Sequence, residues 1–149
     1  MAKCDKRIAI DSAMKDAMRA KAKEKLGTIR LILAEIKRVE VDERIELDDA
    51  RIIAILDKML KQRRDSITQF TAAGRDDLVA IEQAEMVVIQ TFLPAQLSDE
   101  ELDLLITQAI TDSGATSMKE MGKVMGLLKP KLQGRADMGK VSATIKSKL

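Results

Sequence analysis

The order of apolar and polar residues along the chain is typical of helices from one end to the other. Apolar residues recur at intervals of three and four, for example at Ile29, Leu33 and Ile36, and this spacing places them on one face of a helix. No stretch shows the sustained apolar–polar alternation of a half-buried strand. The sequence therefore predicts an all-α protein.

Two helices are expected in the first third of the chain. The first spans residues 5–23, and Ile8, Met14 and Met18 are expected to face inward. The second begins near Glu24 and continues the same three-and-four spacing. Both helices are amphipathic, so each is expected to bury one face and leave the other in water.

Two further helices follow before residue 94. Asp48 is a typical N-cap residue and is expected to begin the third helix. Gly74 is expected to end it, because glycine readily adopts the left-handed conformation that closes a helix. Asp76 is then expected to cap the fourth helix, with Ile81 and Val88 among its inward residues.

The remaining chain carries three more helix-start signals. Ser98 and Glu101 have the three-residue offset of a capping box, in which side chains satisfy the first free N–H groups of a helix. Ser117 and Glu120 repeat that offset and are expected to open the sixth helix. Asp137 is expected to cap the seventh.

Pro94 marks the predicted domain boundary. The residue before a proline is disfavoured in helical conformation, so the fourth helix should end there. We expect an N-terminal helical bundle of about four helices over residues 1–93. A small C-terminal three-helix domain is expected over residues 94–149.

Charge is unevenly distributed although the net charge is only +2. Residues 1–30 contain nine Lys or Arg against four acidic residues, and residues 117–149 contain eight against two. The 86 residues between them are acidic, with eighteen acidic and nine basic side chains. Basic ends suit a polyanionic partner, but ordinary solvated helix faces would explain them equally well.

Nothing in the sequence indicates a catalytic or metal centre. The chain has no histidine, which is the commonest general base and zinc ligand. Its single cysteine, Cys4, has no partner thiol. Acidic pairs such as Glu100 and Glu101 begin helices, where the helix dipole already explains them. We expect no catalytic residue, no metal and no cofactor.

The expected location is the cytoplasm. The amino terminus is charged from Lys3 onward and lacks the apolar region of a signal peptide. The uncharged apolar runs are far shorter than the roughly 20 residues of a membrane span. One cysteine is typical of a reducing compartment. No membrane association is expected.

The segment 121–137 combines glycines with basic residues. Gly122 and Gly126 lie four apart in a predicted helix, where each costs about 1 kcal/mol relative to alanine. Either close packing of another helix or the approach of a large partner would offset that cost, and both explanations remain open. Pro130 is expected to kink this helix. Basic side chains around exposed backbone suit phosphates. Because Trp and Tyr are absent, a folded RNA read by its shape fits better than a stacked single strand.

Five motifs, taken in order, resemble the YqeY family over essentially the whole chain. They are KQRRDSITQF at 61–70, AGRDDL at 73–78, FLPAQLS at 92–98, MGKVMG at 121–126 and GRAD at 134–137. The last two also resemble the tail that this family shares with the B subunit of the Asp/Glu-tRNA amidotransferase (GatB).

The resemblance implies a two-part helical fold and a C-terminal module similar to the one with which the amidotransferase holds tRNA. Family labels attach carbon–nitrogen ligase activity with glutamine as amide donor. In the amidotransferase that chemistry belongs to an amidase and a catalytic cradle, so such activity would need partner subunits here. A family tail usually carries Gly-Lys-Ala, where this chain has Gly134-Arg135-Ala136. Arginine keeps the positive charge and adds a forked phosphate donor.

The function expected is that of a non-catalytic tRNA-binding accessory protein linked to tRNA aminoacylation or amidation. Expected partners are tRNA or another folded RNA, together with an aminoacyl-tRNA synthetase or an amidotransferase. The alternative is a protein–protein adaptor that docks through its acidic middle segment. The predicted RNA-binding residues are Lys119, Gly122, Lys123, Gly126, Lys129, Lys131, Gly134, Arg135 and Lys140.

Overall fold

Seven α-helices account for most of the chain in a computed structural model that describes residues 4–149. No strand occurs among these residues, so the protein is all-α and the predicted fold class is confirmed. The first three residues of the charged amino terminus lie outside the described residues. The chain forms two compact units, of which the first ends at Leu93 and the second spans Pro94–Leu149.

The N-terminal unit contains four helices around an aliphatic core. They are α1 (Asp5–Arg19), α2 (Lys23–Glu43), α3 (Asp49–Ala72) and α4 (Asp76–Gln90). The most extensive contact joins α3 to α4, followed by the contact of α1 with α2. The completely buried side chains that these helices share include Ile10, Ile29, Ile32, Ile36, Ile52, Leu56 and Ile89.

The inward faces of α1 and α4 differ from the predicted ones. Ile8 and Met18 are 54% and 51% exposed, whereas Ile10 is completely buried. In α4, Ile81 is 55% exposed and Ile89 is buried in its place. Apolar residues surround much of both helices, so their spacing does not identify the buried side. The packing of neighbouring helices selects it.

Two helix boundaries were also predicted incorrectly. Helix α1 ends at Arg19, short of the predicted range 5–23, because Lys21 adopts the left-handed conformation with φ of 55°. Asp76 is the first residue of α4, and Arg75 occupies the N-cap position without a side-chain capping bond.

Ion pairs join helices within the N-terminal unit, and two of them are mostly buried. Arg7 of α1 contacts Glu40 of α2, and Arg63 of α3 contacts Glu85 of α4, each at 2.9 Å. Burial acts to raise the pKa of Glu40, but hydrogen bonds from Arg7 and from the backbone N–H of Leu47 outweigh it and hold that pKa below its ordinary value. These side chains are only partly exposed, so water screens the pairs less than it screens surface pairs.

The C-terminal unit has three α-helices and a core of its own. The helices are α5 (Asp99–Ser113), α6 (Met121–Leu132) and α7 (Met138–Lys148), and a short 3₁₀ turn, Met118–Glu120, precedes α6. Helix α5 packs on α6 and α7. The buried side chains are aliphatic, chiefly Leu102, Ile106, Val124, Leu128, Leu132, Val141 and Ile145.

Several predicted helix ends are confirmed. The carboxylate of Asp48 accepts the N–H of Arg51 at 2.9 Å, and that of Asp137 accepts the N–H of Gly139 at 3.0 Å. Gly74 follows α3 with a left-handed φ of 70°. Local side-chain chemistry therefore determined these ends, as expected for capping residues.

In only one of the two predicted capping boxes does the serine side chain accept a hydrogen bond from a backbone N–H of the helix. Ser98 Oγ accepts the N–H of Glu101 at 3.1 Å. Ser117 makes no side-chain capping bond, because its own carbonyl oxygen accepts the N–H of Glu120 at 3.0 Å in the 3₁₀ turn. The Glu120 carboxylate instead accepts the N–H of Thr116 at 3.1 Å.

This difference predicts unequal effects of two serine-to-alanine changes. Ser98→Ala removes a capping bond and should lower the stability of α5 by about 0.5–2 kcal/mol. Ser117→Ala removes none and should stay within about 0.5 kcal/mol. Native-state amide hydrogen exchange in α5 and α6 measures both. Equal losses would contradict the assigned caps.

Candidate nucleic-acid interface

Three fully buried side chains determine the rotation of α6 about its own axis. Val124, Leu128 and Leu132 lie one turn apart and are all 0% exposed. With 100° of rotation per residue, the opposite side of the helix is the one that carries Gly122 and Gly126. The core of the C-terminal unit therefore presents the glycine pair outward.

The two glycines form an open strip on this outward side. Both are exposed, and a Cβ atom built on either would meet nothing within 4 Å among the described residues. Close packing of another helix within residues 4–149 therefore does not explain the pair. Pro130, which is also exposed, lies one turn after Gly126 and extends the strip.

Lysines border this strip. Lys119 lies in the turn before α6, and Lys123 and Lys129 are each three residues from Gly126, on either side of it. Lys131 lies about 140° around the helix from Gly126 and faces elsewhere. All four are exposed, and within the part of the chain that the structure describes no ion pair is recorded for any of them. We call the strip Gly122, Gly126 and Pro130, with Lys119, Lys123 and Lys129, the glycine–lysine face.

Gly134 and Arg135 hold the start of the C-terminal unit in place. Gly134 is buried, with a left-handed φ of 76°, and its carbonyl oxygen accepts Gln96 Nε2–H at 2.7 Å. The N–H of Leu97 donates to the Arg135 carbonyl at 3.0 Å. Arg135 Nε–H donates to the Ala95 carbonyl at 3.2 Å. These contacts give both residues structural roles that the sequence pattern did not reveal.

Lys140 also has a partner within the chain. Its ammonium group pairs with the Asp99 carboxylate at the start of α5. A second pair, Lys148 with Asp103 at 3.0 Å, joins α7 to α5 further along. The nine predicted site residues thus fall into two sets. Five of them belong to the glycine–lysine face, while Lys131, Gly134, Arg135 and Lys140 lie elsewhere or already make contacts.

Pro130 is the member of this face that the sequence-based prediction missed. The signal was present, because Gly122, Gly126 and Pro130 follow one another at intervals of four residues. That interval keeps them on one side of a helix. The kink expected of a proline within a helix says nothing about the side of the helix on which the proline lies.

The rest of the described chain offers little reactive chemistry. Residues 4–149 contain no group of three or more His, Cys, Asp or Glu that could hold a metal ion. Burial raises the pKa of the Cys4 thiol, and the neighbouring Asp49 carboxylate raises it further, which disfavours the reactive thiolate. None of the described helices is long and apolar enough to cross a membrane.

Known proteins resemble this chain over most of its length. Residues 7–149 match the family described as Yqey-like protein. A Pyrenophora tritici-repentis protein is 32% identical over 130 residues, which cover 85% of this chain and 71% of that protein. An Eremothecium gossypii protein is 47% identical over 83 residues, covering 55% and 45%, and a Saccharomyces cerevisiae protein is 38% identical over 92 residues, covering 61% and 50%.

All three relatives are named altered inheritance of mitochondria protein 41, mitochondrial. The predicted cytoplasmic location conflicts with these names and is wrong as stated. A single cysteine is typical of a reducing compartment, and it does not distinguish one such compartment from another. The chain spans about half the length of two of these relatives.

The motifs first noted in the sequence thus lie within a match that extends from Arg7 to the last residue. The Pyrenophora protein alone is 32% identical across more than two thirds of its own length. The chain belongs to the YqeY-like protein family.

Proposed function

We propose that this protein is a non-catalytic binding protein for folded RNA, tRNA in particular, and that the glycine–lysine face is the contact surface. One observation carries the proposal. Two helical glycines with open space above them are bordered by lysines for which no ion pair is recorded in residues 4–149. This is a surface that a large anionic partner can approach closely.

The physical argument concerns shape and charge together. Without side chains at Gly122 and Gly126, a sugar–phosphate backbone can lie closer to the α6 axis than it could over alanine or leucine. Lysines at the border then meet phosphate oxygens, which supply most of the affinity in nucleic-acid binding and little of its sequence specificity. The absence of Trp and Tyr favours recognition of a folded RNA by its shape over stacking of single bases.

The predicted residues take different roles in this proposal. Lys119, Lys123 and Lys129 are the phosphate contacts, whereas Lys131 faces elsewhere and contributes only to the positive field. Gly134 and Arg135 hold residues 95–97 and support the unit that presents α6. Lys140 is paired with Asp99 and contributes to the positive field more than to a direct contact.

The accessory role in tRNA aminoacylation or amidation rests on the C-terminal motifs, which resemble the tail of the amidotransferase B subunit. Three features support a role without catalysis. The chain lacks histidine, burial raises the pKa of the Cys4 thiol, and neither the family description nor the relatives' names state a reaction. A synthetase or an amidotransferase would then perform the chemistry.

Charge reversal on the glycine–lysine face should weaken RNA binding. Lys123→Glu and Lys129→Glu each lose a phosphate contact, so the affinity for tRNA should fall and the slope of log K against log salt should drop by about one per variant. The loss should be similar for unrelated tRNAs, because phosphate contacts do not read sequence. Fluorescence anisotropy over a salt series measures both quantities.

Lys146→Glu on α7 is the matched control, since it changes the net charge equally in the same unit. It should leave the salt slope nearly unchanged. If Lys146→Glu and Lys123→Glu lower the affinity for tRNA equally, the binding is a general charge effect and not a contact with the glycine–lysine face. Wild-type protein with no salt-dependent affinity for folded RNA would favour the protein–protein adaptor instead.

Substitutions at the two glycines should affect stability and RNA binding differently: alanine should stabilise α6, and a bulky side chain should weaken RNA binding. Gly122→Ala and Gly126→Ala add a Cβ in open space and should stabilise α6 by up to about 1 kcal/mol. Gly126→Leu should stay folded yet hold RNA away from the helix, lowering the affinity for tRNA at unchanged net charge. Urea unfolding and anisotropy on the same samples test this. A Gly126→Leu protein that binds like wild type would contradict the close-approach argument.

The purified chain should not catalyse amide transfer. Incubated with glutamine and mischarged Glu-tRNA, it should release no ammonia above the buffer rate and form no Gln-tRNA. A coupled ammonia assay and acid-gel analysis of the tRNA measure the two products. Activity that a single substitution in this chain abolishes would contradict the non-catalytic role.

A further inference from the structure

An open groove of about 800 Å³ runs between α2 and α4 in the N-terminal unit. One wall is the first part of α2 and the other is the middle of α4. The lining residues that matter here are Gly27 and Leu31 on α2, and Ala80, Ile81, Ala84 and Val88 on α4.

The groove is apolar, and its large side chains are half-exposed. Leu31 is 48% exposed and Ile81 is 55% exposed. The small residues Gly27, Ala80 and Ala84 line the groove with them, and a Cβ built on Gly27 would meet nothing within 4 Å among residues 4–149. Small residues between larger apolar ones form a trough into which the side chains of another helix can fit.

The groove is lined by two lysines and two glutamates, and the pairing of one glutamate with an arginine outside the lining leaves a net positive charge. Lys23 and Lys25 line its α2 end and are exposed. Glu85 lines the opposite wall, but its carboxylate is held by Arg63 at 2.9 Å. Glu24 is the one other acidic lining residue. The segment 15–25, which leads into the α2 wall of the groove, contains five basic and two acidic residues.

We propose that this groove is a docking site for an acidic amphipathic helix of a partner protein. Leucine-like side chains of that helix would contact Leu31 and Ile81, and carboxylates on its edge would meet Lys23 and Lys25. The site lies in the N-terminal unit and does not depend on RNA binding by α6. It would give a tRNA-binding protein a separate means of recruiting a protein.

The dimensions suit a helix of two to three turns. Residues 80–88 span about 12 Å along α4 at 1.5 Å per residue. A short helix on such a surface buries its apolar stripe while its acidic edge remains near water, where opposite charges improve selectivity and association rate more than affinity.

A pair of designed peptides tests this proposal with the full-length protein. Each is a fluorescein-labelled amphipathic helix about 18 residues long, since shorter helices are marginal in water. Both carry the same leucine stripe, flanked by glutamates in one peptide and by lysines in the other. The acidic peptide should bind at least about tenfold more tightly, and its NMR shift changes should concentrate in α2 and α4. Equal affinity for both peptides would overturn the proposal.

Substitutions that leave the net charge unchanged distinguish peptide binding in the groove from peptide binding to the basic surfaces. Ile81→Gln removes apolar contact without changing charge, and Gly27→Leu fills the trough. Each should weaken the acidic peptide at least about tenfold. Leu104→Gln, at an apolar residue of α5 that is 70% exposed, is the matched control and should have no effect. Circular dichroism confirms that each variant folds, and wild-type affinity in both Ile81→Gln and Gly27→Leu would overturn the site.

Three further outcomes also decide the matter. If the acidic peptide binds Lys129→Glu protein as wild type, the groove is distinguished from the glycine–lysine face. If Lys129→Glu abolishes peptide binding instead, the peptide was using the RNA surface and the proposal fails. If sedimentation shows a dimer that Ile81→Gln dissociates, the groove is occupied by a second copy and the proposal fails as well.

Discussion

The complete burial of Val124, Leu128 and Leu132 is the constraint on which the RNA-binding proposal depends. Each of these side chains gains about 1.5–3 kcal/mol from leaving water. Together they hold one side of α6 against α5 and α7 and leave the other side outward. Any rotation of α6 that brought Gly122 inward would expose one of the three. The location of the glycine–lysine face is thus a consequence of core packing.

The two glycines on the outward side of α6 lower the stability of this helix, and burial of apolar side chains in the core of the unit offsets the loss. Two helical glycines cost about 1 kcal/mol each relative to alanine, and the structure provides no neighbouring helix among the described residues to explain them. The lysines around them gain nothing from recorded ion pairs within the described chain. Residues that weaken a helix without improving its packing are the kind that function retains at the expense of stability.

Arg135 illustrates how a charged residue can serve structure in a basic segment. Its Nε–H reaches the Ala95 carbonyl while its own carbonyl accepts the N–H of Leu97. The bond from Gln96 to Gly134 completes the link. These contacts hold the first residues after Pro94 against the end of α6. Charge alone therefore did not distinguish the lysines of the glycine–lysine face from a basic residue that holds the unit together.

The groove between α2 and α4 is related to the aliphatic composition of the N-terminal unit. With two phenylalanines and no larger aromatic residue in the whole chain, its helices pack through Ile and Leu and leave small residues at several surface positions. Between α2 and α4 those small residues leave a trough instead of a filled surface. Leu31 and Ile81 remain half-exposed there, and singly exposed apolar residues are ordinary, whereas a contiguous apolar groove indicates an interaction site.

The sequence by itself determined the helical class, most helix ends and the position of the glycines, because these depend on spacing and on bonds between near neighbours. Ser98 and Asp137 cap helices with donors two or three residues away. Only the tertiary structure decided which side of α1 and α4 is buried, because both helices carry apolar residues on several sides. Ile8 and Ile81 are exposed, and Ile10 and Ile89 are buried in their place. Only the tertiary structure also showed that, among the described residues, Arg135 and Lys140 make contacts within the unit, unlike Lys123. The partners of Arg135 and Lys140 are Ala95 and Asp99, which lie about forty residues away along the chain. A contact between residues so distant depends on how helices pack, and local spacing carries no information about it.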